Sequence, residues 1–317
     1  PSPHDKPHNQ PMITSPIWLP ATLLAALFQP WRTAIQRRVS HDLSINAAGL
    51  VRYLYGLPFA LAMLAAYQFA LFPAAFPTLG PWFLVYCIGG GLAQIVATNL
   101  LLMAFDQRNF VVGTAYSKTE AVQGALLSIV LLGEHLAPLS WLGIALGVAG
   151  VMILSAGGKR MTPGELIRAL GQPGARFGIA SGFFFALTAI AIRSATVQVA
   201  TADPIRAALI VLAVTVALQT VMQGAFLVWR ERDQVGPVLR SWRVSGQVGL
   251  LSALGSACWF TGFATAPVAL VRVVGQIEVA FTIAFGHFYL GERVSRSEVA
   301  GLLLVTAGVV AALAGTL

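Results

Sequence analysis

A succession of apolar runs, each about as long as a helix that crosses a bilayer, limits most strongly what this chain can fold into. Such a helix needs roughly 20 apolar residues. Of the 317 residues, 57% are hydrophobic and only 10% are charged, against about 25% charged in soluble domains. We therefore predict an all-α polytopic membrane protein with ten transmembrane helices. The predicted spans are 17–36, 47–71, 81–104, 110–132, 138–156, 177–197, 204–229, 246–264, 268–290 and 297–315.

The basic residues are concentrated in alternate loops. Every loop after an odd-numbered span contains Lys or Arg, whereas the loops after the even-numbered spans contain none. Cytoplasmic loops carry the basic residues in membrane proteins, so both termini are predicted to be periplasmic, in a multi-pass protein of the inner membrane. This distribution also accounts for the net charge of +8 without a nucleic-acid partner. The basic loop residues are Arg37, Arg38, Arg108, Lys159, Arg160, Arg168, Arg176, Arg230, Arg232, Arg240, Arg243, Arg293 and Arg296.

The sequence repeats itself after 158 residues without a gap. "LGE" at 132–134 falls on "LGE" at 290–292, and "AGV" at 149–151 falls on "AGV" at 307–309. Most informative is Glu120, which coincides with Glu278. A carboxylate inside a membrane span is costly, so its recurrence in register indicates a duplicated unit rather than chance.

Each unit contains five predicted spans, an odd number, so the two units must insert in opposite orientations. We expect a polar tail at 1–16, repeat 1 at 17–157, a linker at 158–176 and repeat 2 at 177–317. Inverted repeats of this kind place a substrate site near the bilayer midplane, between the halves, and move by alternating access. The architecture therefore predicts a secondary transporter acting as a monomer.

Family motifs support the same interpretation. An apolar helix ending "LLGE", a following helix with "AGV", and the doubling of both resemble the EamA-type transporters of the drug/metabolite transporter superfamily. The "VRYLYGLPFALAML" of span 2 is similar to the Arg-aromatic opening of that family's second helix. The resemblance covers 17–317 and implies ten helices and transport of small metabolites.

One position departs from the family pattern. Members often carry Pro about thirteen residues before the LGE glutamate, where this chain has Ala121 and Val279. Any opening in spans 4 and 9 must then come from Gly124, Gly275 or Gly286.

Charged side chains inside spans 4 and 9 define the candidate site. Lys118 and Glu120 lie on span 4, and Arg272 and Glu278 lie on span 9. On one ideal helix, Lys118 and Glu120 would point about 200° apart and would not pair. We predict a central cavity with cations and carboxylates on adjoining walls; the alternative is a structural bridge, for instance between Glu120 and Arg272. The remaining predicted substrate-binding residues are Gln276, Tyr116, Asn99 and Trp259.

Four further arginines lie near span ends. Arg52 and Arg206 are equally compatible with snorkelling to lipid headgroups and with a role in the cavity. Arg32 and Arg193 favour the membrane interface.

The function predicted from these residues is export of small polar metabolites such as amino acids, because carboxylates and cations together suit a zwitterion. Two alternatives stay open: a proton-coupled exporter of lipophilic cations, which Lys118 and Arg272 would repel, and a non-transporting membrane scaffold. No nucleotide-binding, metal-binding or nucleophile motif is present in the sequence, so we expect no enzyme, cofactor or metal. The expected partners are the lipid bilayer, a small substrate and, as a candidate coupling ion, the proton.

Overall fold

The computed structural model describes residues 15–39, 42–107, 116–133, 137–155, 172–290 and 296–314. In this part of the chain the regular structure is helical, apart from one isolated β-bridge between Leu79 and Val199. The helices are α1 (Trp18–Val39), α2 (Ile45–Leu54), α3 (Leu57–Ala65) with a π-helical turn (Ala66–Leu71), α4 (Phe83–Gln107), α5 (Glu120–Leu132), α6 (Pro138–Ser155), α7 (Pro173–Val197), α8 (Pro204–Arg230), a 3₁₀ turn (Arg232–Gln234), α9 (Val235–Arg240), α10 (Trp242–Thr265), α11 (Val268–Gly275), α12 (Glu278–Leu290) and α13 (Arg296–Ala314).

Local sequence signals start and end several of these helices. Ser44 caps α2 by accepting a hydrogen bond from the Ala47 amide at 3.2 Å. Asp203 caps α8 by accepting from the Ile205 and Arg206 amides, with Pro204 in the first turn, where a missing N–H does no harm. Gly133 ends α5 with φ of 66°, the left-handed conformation that glycine adopts most easily.

The helical class is confirmed, but the number of ten spans stays a prediction. Each predicted span overlaps a helix, yet only six stretches of the described chain are long and apolar enough to cross a membrane by themselves. Three shorter apolar helices fall in spans 4, 5 and 10, at Glu120–Leu132, Pro138–Gly150 and Val299–Ala311. Residues 1–14 of the polar tail, residues 158–171 of the predicted linker, and the glutamates of both LGE motifs lie outside the described residues.

Equivalent helices of the two repeats pack in equivalent ways. The helix α4 packs along α7, and α1 packs along α10. A shift of 158 residues carries α4 onto α10 and α1 onto α7, so these two contacts are one contact repeated. The helices α6 and α13 exchange with each other under the same shift, and they also pack together.

Glycines where α6 crosses α13 make equivalent contacts in the two repeats. A Cβ added to Gly150 would lie 2.6 Å from the carbonyl oxygen of Gly301, and one added to Gly308 would lie 2.6 Å from that of Gly143. Gly143 and Gly301, like Gly150 and Gly308, are 158 residues apart. The two backbones therefore touch through small residues, as packed helices in membranes commonly do.

The outer surface is apolar and the polar groups are inside. Large hydrophobic side chains face outward on several helices; Phe69 is 75% exposed and Val130 is 78% exposed. Conversely, Lys118, Glu120, Arg272 and Glu278 are buried. This inversion suits a chain surrounded by lipid, because lipid does not penalise exposed apolar area.

Candidate functional site

Predicted span 4 contains a break in its helix just before Glu120. Tyr116 and Ser117 are helical, Lys118 and Thr119 form a turn, and α5 begins at Glu120. Hydrogen bonds across the break span three residues instead of four, from the Thr119 amide to Tyr116 O and from the Ala121 amide to Lys118 O. The expectation that Lys118 and Glu120 point apart on one continuous helix is wrong: Lys118 Nζ lies 3.9 Å from Glu120 Oε1.

The same break occurs at the equivalent place in predicted span 9. The helix α11 ends at Gly275, Gln276 and Ile277 form the turn, and α12 begins at Glu278. Three-residue hydrogen bonds again cross it, including Val279 N to Gln276 O at 2.9 Å. Of the three glycines expected to open these spans, Gly275 lies at a break, whereas Gly124 and Gly286 lie inside α5 and α12.

Two ion pairs connect the breaks, and each pair joins the two repeats. Lys118 Nζ lies 2.7 Å from Glu278 Oε2, and Arg272 Nη1 lies 3.3 Å from Glu120 Oε1. All four residues are between 3% and 5% exposed. The two cations and two carboxylates balance, which is required because an uncompensated buried charge is strongly destabilising. Each carboxylate also stands at a helix N-terminus, where negative charge is favoured.

Uncharged groups hold this set of four in place. Gln29 Nε2 donates to Glu278 Oε2 at 2.9 Å, and Trp259 Nε1 donates to Gln29 Oε1 at 2.7 Å. Arg272 Nη2 donates to the carbonyl of Phe185 at 3.0 Å. Its Cζ lies 5.1 Å from the Trp259 ring centroid, within the range of a cation–π contact.

Gln29 was not predicted from the sequence. It is a single polar residue in an apolar run, and its counterpart in repeat 2 is Leu187, so the repeat pattern provides no signal for it. Only the next residue, Pro30, which frees a backbone carbonyl one turn earlier in the helix, marks the region as unusual.

A small polar cavity lies between the ion pairs. Its free space is about that of one water molecule. Trp259 closes one side of the break, since a Cβ added to Gly275 would lie 2.3 Å from Trp259 Cη2. The lining residues are Gln29, Pro30, Thr33, Leu101, Ser117, Lys118, Glu120, Phe185, Glu278 and Thr282.

The other predicted site residues divide into two groups. Trp259 contacts the site through Gln29 and Arg272. Tyr116 is buried just before the turn, and its carbonyl accepts from Thr119 Oγ1 at 2.9 Å. None of these four residues lines the cavity, and Gln276 and Asn99 have their contacts elsewhere.

Gln276 lies against α6 instead, with its amide beside the backbone of Gly147, and neither amide atom has a hydrogen-bond partner among the described residues. Asn99 belongs to a separate amide cluster, in which it donates to Asn46 Oδ1 at 3.0 Å and accepts from Gln223 at 3.3 Å.

Three further arginines hydrogen-bond inside the protein. Arg32 was predicted to lie at the membrane interface, and this prediction is wrong: Arg32 is 4% exposed and donates to Thr33 Oγ1 at 2.9 Å. Arg193 donates to the carbonyls of Phe263 and Ala264 at 2.7 and 2.6 Å, so it satisfies the free carbonyls at the end of α10. Arg206 lies 3.7 Å from Asp203 and donates to Phe72 O at 2.8 Å.

Hydrogen bonds join the repeats at both ends of their interface. At one end, Ser44 donates its hydroxyl to Glu231 and its amide to Gln234 Oε1. At the other, the Gly80 amide donates to Gln198 O at 2.7 Å and the Ala200 amide to Thr78 O at 3.0 Å. A shift of 158 residues carries the loop that contains Ser44 onto the loop that contains Ala200, and the loop that contains Thr78 onto the segment that contains Gln234. The two ends of the interface are therefore built from equivalent loops.

Together the fold and the site define a helical membrane protein of two repeats that share a buried charged site at their interface. The chain belongs to the EamA-like transporter family, which matches it twice, at residues 16–156 and 172–314. These ranges lie close to the predicted repeats, and the family is one of membrane transporters of the drug/metabolite transporter superfamily.

A solved structure titled "Crystal structure of protein" has the same fold. It matches with a TM-score of 0.64 over 93% of this chain and 94% of its own, at 19% identity. No curated protein sequence matches this chain.

Proposed function

We propose that this protein is a secondary transporter that exports small zwitterionic metabolites, amino acids being the simplest class. One observation carries the proposal: the reciprocal pairs Lys118–Glu278 and Arg272–Glu120, each joining the two repeats at a broken helix. Broken helices at equivalent positions of inverted repeats are where secondary transporters bind their substrates.

The charge balance of the set favours a zwitterion over a singly charged ligand. The cavity has room for about one water molecule, so a substrate enters only if an ion pair opens. A zwitterion gives its ammonium to Glu278 and its carboxylate to Lys118, and leaves no buried charge alone. A lipophilic cation would leave Lys118 without its carboxylate, which costs several kcal/mol for a buried charge.

The proposed movement is a rocking of one inverted repeat on the other. With the basic loops in the cytoplasm and both termini in the periplasm, Ser44–Glu231 closes the cytoplasmic side and the Leu79–Val199 bridge closes the periplasmic side. Alternating access requires one closure to open while the other persists. A monomer in the inner membrane suffices for this cycle, because the site lies within one chain.

Cross-linking tests the movement. In a background with the two cysteines of the described residues, Cys87 and Cys258, replaced by Ala, we introduce Leu79→Cys with Val199→Cys at the bridge. A short bis-methanethiosulfonate cross-linker, which forms a disulfide with each cysteine and releases sulfinate, is expected to reduce transport in liposomes to background, and a reducing agent that cleaves these disulfides is expected to restore it. Each single-cysteine variant, treated identically, is the control. Full transport by the cross-linked protein would show that this end of the interface does not open.

Substitution of the paired carboxylates tests the chemistry. Glu120→Gln and Glu278→Gln, singly and together, are reconstituted and assayed for counterflow of labelled amino acids and for flux at several pH values. Loss of counterflow assigns the carboxylate to the substrate ammonium; loss of pH dependence alone assigns it to proton coupling. Asp106→Asn, at an exposed carboxylate near the end of α4, is the control. Wild-type transport by the double variant, or uptake of lipophilic cations alone, would contradict the proposal.

A further inference from the structure

A second polar pocket lies between the repeats, away from the ion pairs. The helices α2 and α4 of repeat 1 and α8 and α10 of repeat 2 enclose it, and it shares no lining residue with the first cavity. Its polar lining residues are Arg52, Tyr53, Gln94, Gln219, Ser252 and Ser256.

Arg52 supplies this pocket with a positive charge that no carboxylate in the described part of the chain pairs with. Its side chain is buried, with the residue 6% exposed, and Nη1 donates to Thr98 Oγ1 at 3.1 Å. No carboxylate of the described residues lies within 4.0 Å of it, whereas Lys118, Arg206 and Arg272 each have one. Burying a guanidinium without a counter-charge is strongly unfavourable.

A second buried arginine makes the imbalance larger. Arg32 also has no carboxylate within salt-bridge distance in the described chain, and its guanidinium donates to the uncharged side chains of Gln36 and Thr33. Glu278 is already paired with Lys118. Around the two cavities, the described residues therefore bury four cations, Arg32, Arg52, Lys118 and Arg272, against two carboxylates, Glu120 and Glu278.

The pocket also contains polar atoms without partners. Among the described residues, the Ser252 hydroxyl and Gln219 Oε1 are buried and have no hydrogen-bond partner, although Gln219 Nε2 donates to Gln94 Oε1 at 2.8 Å. Buried polar groups normally find a partner. The Ser252 hydroxyl is free to donate, and the space beside it is about that of one water molecule, which is also close to the size of a halide ion.

We propose that this pocket binds a small monovalent anion, with Arg52 as its cation and Ser252 as a hydrogen-bond donor. The anion is either chloride or the carboxylate group of a small acid, since both present one compact negative charge. Because the walls come from both repeats, separation of the repeats divides the site, and the anion stabilises the closed interface by binding it preferentially. The inference uses none of the residues of the zwitterion site, so either proposal can fail alone.

Thermal unfolding of the purified full-length protein tests the site. Sodium chloride and sodium acetate are titrated against sodium gluconate at constant ionic strength, because the hydroxylated chain of gluconate is much bulkier than a chloride ion or the methyl group of acetate. We expect a saturable rise in Tm of about 5 °C at a hundredfold excess over the dissociation constant. A response to chloride identifies the ion as the occupant, and a response to acetate alone identifies a carboxylate.

Variants link the response to the pocket. Arg52→Gln is expected to abolish the rise, and Arg206→Gln, at a buried arginine outside the pocket, is expected to keep it. Ser252→Ala, which removes an unpartnered hydroxyl and should fold normally, is expected to raise the half-saturating concentration about tenfold. A Tm that responds to neither anion, or an unchanged response in both Arg52→Gln and Ser252→Ala, would overturn the proposal.

Discussion

Lys118→Met is expected to lower the free energy of unfolding by about 3–5 kcal/mol, the range for removing one partner of a buried ion pair. The substitution leaves Glu278 charged and buried, with Gln29 Nε2 at 2.9 Å as its remaining described partner. Lys118→Met combined with Glu278→Gln is expected to recover most of the loss, because it removes both charges. Equilibrium unfolding in mixed micelles of the single and double variants measures the difference.

Arg232→Met, which changes an exposed arginine in the same way, is the control and is expected to change stability by less than about 0.5 kcal/mol. If Lys118→Met is as stable as this control, the Lys118–Glu278 pair contributes nothing to the closed state. The neutral double variant also separates the two roles of the pair. If it folds but no longer binds amino acids, the charges serve binding; if it transports normally, they are structural bridges.

Gly249→Ala is expected to cost about 3 kcal/mol, since its new Cβ would collide with backbone rather than with a side chain that can move. The added atom would lie 2.3 Å from the carbonyl carbon of Tyr55 and 2.7 Å from the amide nitrogen of Gly56. These atoms form the junction between α2 and α3, so relief requires α2 and α10 to separate. The same micelle titration measures the effect.

Gly246, one turn earlier on α10, provides a matched control, because a Cβ there meets nothing within 4 Å. Gly246→Ala is expected to gain about 0.5–1 kcal/mol, since alanine restricts the unfolded helix-forming chain more than glycine does. Equal stabilities of the two variants would mean that α10 and the α2–α3 junction are not in backbone contact. The position of Arg52 depends on this contact, because α2 carries Arg52 one turn before Gly56.

The medium, the duplication and the location of the central charges could be predicted from the sequence. Apolar runs about 20 residues long require lipid whatever their partners, and the recurrence of Glu120 as Glu278 identifies the two breaks as equivalent positions. Burial of Lys118, Glu120, Arg272 and Glu278 agrees with this prediction. Their role in transport remains a proposal.

The tertiary structure alone decided which polar side chains contact one another inside the protein. The periodicity of a helix indicates which face a residue occupies, but it does not indicate which helix covers that face. Gln276 therefore turned towards Gly147, Asn99 joined Asn46 and Gln223, and Arg32 was buried. Gln29 entered the site with no signal in the repeat.

The positions of the helix breaks were also decided by the tertiary structure rather than by the local sequence. Neither the turn at Lys118–Thr119 nor that at Gln276–Ile277 contains proline, so local sequence alone does not interrupt the helices. At the first, Gly182 of α7 packs against the turn, where an added Cβ would lie 2.7 Å from Ser117 O; at the second, Trp259 packs on Gly275. Chain propensity determined that these segments are helical and buried in lipid. Packing against neighbouring helices determined where they break, and contacts between the repeats determined which charges pair, because the paired residues are 160 and 152 positions apart in the chain.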